Sequence, residues 1–290
     1  MSKPIILVTG TNGQLGWSLQ NLSIEYSHQF EFLFVTREQL DLSKPTTVAN
    51  FIQQHQPKIV INCAAYTAVD KAETEQETAL NINAISVGEI AKACKAIDAI
   101  LITISTDYVF DGNGTTPYKI NHPTNPINYY GYSKWLGEKL ALENNADTII
   151  IRTSWVYCEH GNNFVKTMLR LMKERVEVNV VNDQIGCPTY APDLAQAIMQ
   201  IILQLPINKH RGVYHFSNTG NISWFYFATT IRNITELNCQ VNPIPSTAFP
   251  TPAKRPTYSV MDITAIKKDF EIEITDWQIS LKKCLKNLEQ

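Results

Sequence analysis

Along the first half of the chain, short solid apolar runs alternate with segments of helical spacing. The runs Ile5–Val8, Phe30–Val35, Ile59–Cys63, Ala99–Ile104 and Thr148–Ile151 are too short for helices and predict buried strands. Between them, Thr46–His55 and Ile85–Ile97 repeat apolar residues at the spacing of one helix face. Strands alternating with helices predict an α/β fold, a Rossmann-like doubly wound parallel sheet. After Trp155 the rhythm changes. Asn163–Glu174 reads as a helix, Val176–Val181 as a strand, Ala191–Leu205 as a helix opened by Pro192, and Val213–Phe216 as a strand. Proline then thickens at Pro243, Pro245, Pro250, Pro252 and Pro256, which predicts loops and short elements.

The first strand runs into Thr9-Gly10-Thr11-Asn12-Gly13-Gln14-Leu15-Gly16, after which helical spacing begins. Glycines let the backbone turn sharply and approach a pyrophosphate, and the following helix N-terminus offers free N–H groups to the anion. The spacing is G-x-x-G-x-x-G, not the G-x-G-x-x-G of the dehydrogenase fingerprint. A purely structural strand-to-helix turn is the competing reading, and the position directly after an N-terminal strand favours the dinucleotide. The expected organisation is therefore 1–154 as an NAD(P)H-binding Rossmann domain and 155–290 as mainly a smaller substrate-binding lobe, with segments near 175–205 returning to the first domain. An acid about 20 residues beyond the glycine turn would hold the ribose 2′-hydroxyl of NAD. Here the second strand ends in Val35-Thr36-Arg37 with no acid at its tip. NADPH is expected over NADH, with NADH tolerated and Arg37 facing the 2′-phosphate; a solvated surface arginine is the alternative.

Composition narrows the field. The 290 residues suffice for one large α/β domain and a smaller lobe. A net charge of -2 argues against a nucleic-acid partner, and the pairs Lys267-Lys268 and Lys282-Lys283 read as solvated helix faces. No run approaches the ~18 apolar residues of a membrane span and no secretory signal is recognisable, so no membrane partner and a cytoplasmic location are expected. The six cysteines are widely spaced without C-x-x-C, which fits reduced thiols and neither disulfides nor zinc.

Candidate chemistry lies where strand ends face the cofactor. Ile102-Thr103-Ile104-Ser105-Thr106-Asp107 ends a buried strand in hydroxyls able to hydrogen-bond a substrate oxygen; a plain polar strand exit is the alternative. Tyr130 and Lys134 stand one helical turn apart and share a face. Lowering a tyrosine from ~10 toward ~7 takes about 4 kcal/mol, which one ammonium roughly 4 Å away supplies at an effective dielectric of ~20. A Tyr-x-x-x-Lys spacing alone is common, and its weight here comes from following a glycine turn and a hydroxyl-ended strand in order.

Several stretches together carry a resemblance. They are Thr9-Gly10-x-x-Gly13-Gln14-Leu15-Gly16, Asn62-Cys63-Ala64-Ala65-Tyr66-Thr67-Ala68-Val69-Asp70, and Ser105-Thr106-Asp107-Tyr108-Val109-Phe110-Asp111-Gly112. Tyr130-Gly131-x-x-Lys134-x-x-Gly137-Glu138, Arg152-Thr153-Ser154-Trp155-Val156-Tyr157, Gly161-x-Asn163-Phe164 and Asp183-Gln184-x-Gly186-x-Pro188-Thr189 complete the set. Over nearly its whole length the chain resembles the extended short-chain dehydrogenase/reductases, and among them the dTDP-4-dehydrorhamnose reductases. The resemblance implies reduction of dTDP-4-dehydro-L-rhamnose to dTDP-L-rhamnose in cell-surface polysaccharide biosynthesis. Tyr130 is implied as the general acid at the 4-keto oxygen, and Lys134 as the residue that lowers the Tyr130 pKa and holds the nicotinamide ribose. Thr106 completes the triad on the same oxygen. Asn12, Gly13, Gln14 and Leu15 are implied around the pyrophosphate, Asp41 and Leu42 at the adenine, and Ala64, Ala65 and Tyr66 at the cofactor's middle. Asp107, Tyr108 and Trp155 are implied at the deoxysugar, with Val69, Asn163, Gln184 and Arg255 in the nucleotide-sugar pocket, where an arginine fork matches phosphate oxygens. A 6-methyl group offers little to hydrogen-bond, so Trp155 and Tyr108 are expected as its apolar wall.

Sugar 4,6-dehydratases of the extended family carry Asp-Glu after the strand-end threonine, where this chain has Asp107-Tyr108, so reduction is favoured over dehydration. Another nucleotide-sugar 4-reductase or an epimerase shares the triad and stays open. So does a non-catalytic regulatory subunit built on the same fold. Trp155 has a core-packing alternative, and Trp224, Phe225 and Phe227 read as packing. Some relatives are metal-linked homodimers held by glutamates, but the corresponding positions here are Ser18 and Pro192, so no metal is expected and the chain is read as a monomer or weak homodimer.

Overall fold

The five apolar runs become parallel strands of one sheet in the computed structural model, which describes residues 3–289. They are β1 (Ile5–Thr9), β2 (Glu31–Val35), β3 (Ile59–Asn62), β4 (Ile100–Thr106) and β5 (Thr148–Thr153). A sixth strand, Gly212–His215, lies outside β5, and from that edge the order runs β5, β4, β3, β1, β2. All pairings are parallel, with Leu7 opposite both Leu33 and Val60, and Ile102 opposite Ile149. The chain winds from β1 out to β2, then returns past β1 to β3. That reversal opens a crevice beyond the carboxyl ends of β1 and β3, where α/β sheets bind ligands.

Alternating side chains feed two faces. Ile6, Val8, Ile59, Ile61 and Ile102 pack beneath α1 (Gln14–Tyr26) and the Ala191–Gln204 helix. Leu7, Val60 and Leu101 face the opposite layer, made by α2 (Val48–His55) and the helices Ser86–Ala96 and Tyr129–Asn144. Strands buried on both faces read as solid apolar runs, which is why these were legible.

A separate core forms the smaller lobe, with Tyr157, Met168, Val178, Tyr190, Phe227, Ile231, Trp277 and Leu281 at its centre. Helices Phe164–Glu174, Trp224–Thr235 and Trp277–Leu288 surround the parallel pair Glu177–Val181 and Gln240–Ile244. The proline-rich stretch thus begins in a strand and not in a loop. Pro243 is tolerated because this strand is paired on one side only. The segment near 175–205 divides: Glu177–Val181 stays with the smaller lobe, whereas Ala191–Gln204 covers the main sheet. The chain also returns to that sheet later, through Gly212–His215 and through Ile266 and Phe270 of the Thr264–Phe270 helix. Hydrophobic spacing identifies an element but not the layer that it joins. Among the described residues no helix is long and apolar enough to cross a membrane.

Candidate active site

A cavity of about 710 Å³ occupies the crevice, reaching from Thr36, Arg37 and Asp41 at one end to Thr106, Tyr130 and Trp155 at the other. The glycine turn forms its floor. Gly10 has φ +68°, and a Cβ there would lie 2.5 Å from the Ala64 nitrogen. A Cβ on Gly16 would lie 2.3 Å from the Gly10 carbonyl oxygen, so the start of α1 rests directly on the turn. Gly13 caps α1 with no side-chain acceptor, which leaves the helix N–H groups open to an anion. Gly10, Asn12, Gly13, Gln14 and Leu15 all line the crevice, whereas Gly16 packs behind it. An extended crevice crossing a bare helix N-terminus fits a dinucleotide.

Asp41 and Leu42 line the outer end, and Arg37 Nε sits 3.3 Å from Asp41 Oδ1. The Ser43 backbone N–H bonded to the Asp41 carboxylate holds that carboxyl below its usual range, with Arg37 adding to the effect. Arg37 is 72% exposed, and an ion pair that exposed is worth about 1 kcal/mol or less, so its guanidinium is readily redirected to a phosphate. Arg37→Ala is therefore expected to lower kcat/KM with NADPH about tenfold and leave that with NADH nearly unchanged. An unchanged NADPH-to-NADH ratio in the variant would reduce Arg37 to a surface residue. Ala64 and Ala65 line the crevice, but Tyr66 does not. Its hydroxyl turns outward to donate to Glu75 at 2.8 Å while its backbone is clamped by Asn83, so its side chain does not take the implied place at the cofactor's middle.

Thr106 ends β4 with its Oγ1 donating to Asp107 Oδ1 (3.0 Å) and accepting from the Tyr108 N–H (3.2 Å). The Tyr129–Asn144 helix is capped by Asn128, whose Oδ1 accepts from the Gly131 N–H at 2.8 Å. A Cβ on Gly131 would lie 2.2 Å from the Tyr108 carbonyl oxygen. Only glycine lets the helix start lie against the end of β4, and this contact brings Tyr130 to Thr106. Tyr108 meets the Tyr130 ring edge-on at 5.6 Å.

Lys134 is buried, and its Nζ donates to the Ile104 carbonyl at 2.7 Å. Burial pushes it down to about 8, with Glu138 one turn further along the helix acting in the opposite direction. Tyr130 departs from expectation. Burial pushes its phenol above the ordinary value, a hydrogen bond with Thr106 opposing, and Lys134 does not lower it. The ammonium is anchored on Ile104, and desolvation of the phenolate outweighs the expected attraction. A raised value keeps Tyr130 protonated at neutral pH, as a proton donor must be.

Beneath this pair lies a buried network absent from the sequence reading. Glu138 accepts from Arg152 Nε (2.8 Å) and Nη2 (2.6 Å), and from Ser105 Oγ. His215 lies 3.5 Å from Arg152 Nη1 and is pushed down to about 3 by burial and by that guanidinium, so it is neutral. Both Glu138 and Arg152 were visible within motifs, yet a burial partner 14 residues away has no local signature.

At the inner end, Val69, Asp107, Tyr108 and Trp155 line the crevice. Burial pushes Asp107 up to about 6, opposed by side-chain hydrogen bonds from Ser259 and Thr106. Arg255, Asn163 and Gln184 are not among the lining residues. The Arg255 fork is already engaged, Nη1 on the Tyr108 hydroxyl (3.0 Å) and Nη2 on Asp70 (2.8 Å), so it reaches the crevice only through Tyr108. Asn163 caps the Phe164–Glu174 helix and donates to Gln14 Oε1 at 3.0 Å, bracing the glycine turn from the smaller lobe. Thr153, Ser154, Gly161 and Asn162 line the site without having been singled out. The first two lie at and just beyond the end of β5, so the strand-end rule that found Thr106 could have found them. No group of three or more His, Cys, Asp or Glu is placed to hold a metal ion among the described residues.

The sequence profile of the RmlD substrate binding domain matches residues 4–290. The dTDP-4-dehydrorhamnose reductase of Escherichia coli strain K12 is 41% identical over 292 residues, covering 98% of this chain and 97% of that protein. The enzyme of the same name from Burkholderia thailandensis is 39% identical over 297 residues, covering 98% of each chain. The crystal structure of the Bacillus anthracis dTDP-4-dehydrorhamnose reductase in complex with NADP superposes with a TM-score of 0.93 at 39% identity, covering 99% of this chain and 100% of that one.

Proposed function

The chain belongs to the RmlD family of dTDP-4-dehydrorhamnose reductases, and from that premise we propose that its crevice reduces the 4-keto group of dTDP-4-dehydro-L-rhamnose with NADPH, giving dTDP-L-rhamnose. The observation that carries this reading is the convergence of Thr106, Tyr130 and Lys134 at one end of a crevice that crosses the bare N-terminus of α1. NADPH, when bound, supplies the hydride that adds to the sugar's C4. Gln14 and Leu15 would hold the pyrophosphate with backbone N–H groups, and Lys134 would take the nicotinamide ribose. Thr106 Oγ1 would orient the keto oxygen by turning its hydrogen from Asp107 to it. Tyr130 gives its phenolic proton to that oxygen as charge develops. Asp107, beside Thr106 at the inner end of the crevice, accepts a sugar hydroxyl, and Trp155 and Tyr108 wall the methyl group. The six free thiols suit a reducing cytoplasm, where the enzyme works as a monomer or weak homodimer.

The test is direct: supply NADPH and dTDP-4-dehydro-L-rhamnose, follow cofactor absorbance and identify the sugar product. Stoichiometric NADPH oxidation with a 4-hydroxyl product supports reduction. A 4-epimer formed without net oxidation would favour an epimerase, and NADPH binding with no turnover would favour a regulatory subunit. The pH profile of kcat/KM reports the free enzyme. It is expected to fall above about pH 8, as Lys134 loses its proton, and below about pH 6, as Asp107 gains one. In Asp107→Asn the acid limb should vanish while the alkaline limb stays; an acid limb unmoved in that variant would exclude Asp107 as its source.

A further inference from the structure

Trp155 carries an unusual backbone. Its φ is +48°, a left-handed conformation that a bulky residue adopts only when its surroundings impose it. Those surroundings can be named. Its carbonyl accepts from the Thr189 N–H at 3.2 Å, and Ser154 Oγ donates to the Cys187 carbonyl at 2.7 Å, which fixes the chain on both sides. Its indole stacks on Trp224 with centroids 3.5 Å apart and planes inclined by 11°. A Cβ on Gly186 would lie 2.6 Å from Trp155 Cε2, so the ring presses on bare backbone. Gly186 is paired antiparallel with Ile222, the strand that leads through the Ser223 cap into the helix opened by Trp224. Phe164 packs on Trp224 at 4.6 Å, and Phe227 continues the stack into the core of the smaller lobe.

Trp224 is not among the crevice walls, and packing was its expected role. Its partner, however, is a crevice wall held in a strained backbone, and strain at a ligand-facing residue persists only where the structure over-determines it. We propose that Trp224 is a positioning residue for the reduction: stacked on Trp155 beside Gly186, it fixes the indole wall against which the sugar ring and its methyl group are oriented. The inference rests on the function proposed above and deepens it. In the function proposed above Trp155 faces the sugar, so loss of Trp224 acts on the sugar nucleotide and spares NADPH.

The experiment compares Trp224→Ala, Trp224→Phe and Trp155→Ala with the wild type. Two indoles stacked this closely couple their transitions, so an exciton couplet in wild-type far-ultraviolet circular dichroism that is lost in Trp155→Ala reports the stack independently of activity. Trp224→Ala should abolish the couplet, raise KM for dTDP-4-dehydro-L-rhamnose roughly tenfold and leave the Kd for NADPH within about twofold. Trp224→Phe should also lose the couplet but recover most of KM, because a second ring still supports Trp155. On a Trp155→Ala background, Trp224→Ala should add little. Should Trp224→Ala fail to fold, Gly186→Ala pushes the same indole from its other neighbour and should weaken the couplet and raise KM together. Full additivity of the two alanine variants, or a KM unchanged in Trp224→Ala after loss of the couplet, would overturn the proposal. Failure of the functional reading is separable, since it appears as absence of sugar reduction by the wild type with its couplet intact.

Discussion

Tyr130→Phe is expected to fold, bind NADPH as tightly as the wild type and turn over its sugar nucleotide about 10²–10⁴-fold more slowly. The substitution keeps the ring, so the edge-on contact with Tyr108 survives, and the Asn128 cap and the Gly131 contact with Tyr108 do not involve the phenol. What disappears is the proton. No other hydroxyl replaces it, because Thr106 Oγ1 donates to Asp107 and is a far weaker acid than a phenol. KM should change little, so the loss should appear in kcat. Lys134→Met should differ in kind, weakening NADPH binding and lowering kcat through a nicotinamide no longer held in place, because the ammonium is the group proposed to take the ribose. Steady-state kinetics with separate NADPH titrations distinguish the two patterns. Normal turnover by Tyr130→Phe would end the triad assignment.

Legibility in the sequence followed locality. β1, β3, β4 and β5 are buried on both faces, so their solid runs marked them within a residue or two of their ends, and the glycine turn declared itself because Gly10 and Gly16 serve contacts made within a few residues or with the adjacent strand. Thr106, Tyr130 and Lys134 stood out as candidates from a strand end and from helical spacing, and the fold brings all three to the crevice. The misses are long-range. Tyr66 lies inside a matching motif, yet Glu75 and Asn83 decide where it points. Arg255 has the chemistry of a phosphate ligand, but Asp70, 185 residues away in sequence, claims its fork. The smaller lobe was least legible, since Trp224–Thr235 and Trp277–Leu288 pack around a two-stranded pair whose partner strand contains a proline. The direction of the Tyr130 shift was missed for a related reason. Spacing along a helix shows that an ammonium is near, but not how much solvent the phenol has lost.

The second large effect concerns stability. Glu138 and Arg152 are 6% and 5% exposed and meet through two short bonds, beneath the strand end that carries Thr106. Removing one partner leaves the other charged, dry and unpaired, which costs about 3–5 kcal/mol, whereas removing both can be nearly neutral. Arg152→Met should therefore lower the urea midpoint sharply, and Glu138→Leu/Arg152→Met should recover most of the loss. A single variant within about 1 kcal/mol of wild type would show that the pair does not carry this load. The double variant also isolates a functional consequence. Glu138 is the carboxylate that opposes the desolvation of Lys134, so without it the lysine should lose its proton below the present value of about 8. The alkaline limb of kcat/KM should then move to lower pH in a protein of nearly restored stability, while the acid limb, set by Asp107, stays in place. Recovery of stability with an unmoved alkaline limb would mean that the pair supports only the fold, and that the state of Lys134 is set by the Ile104 carbonyl and burial alone.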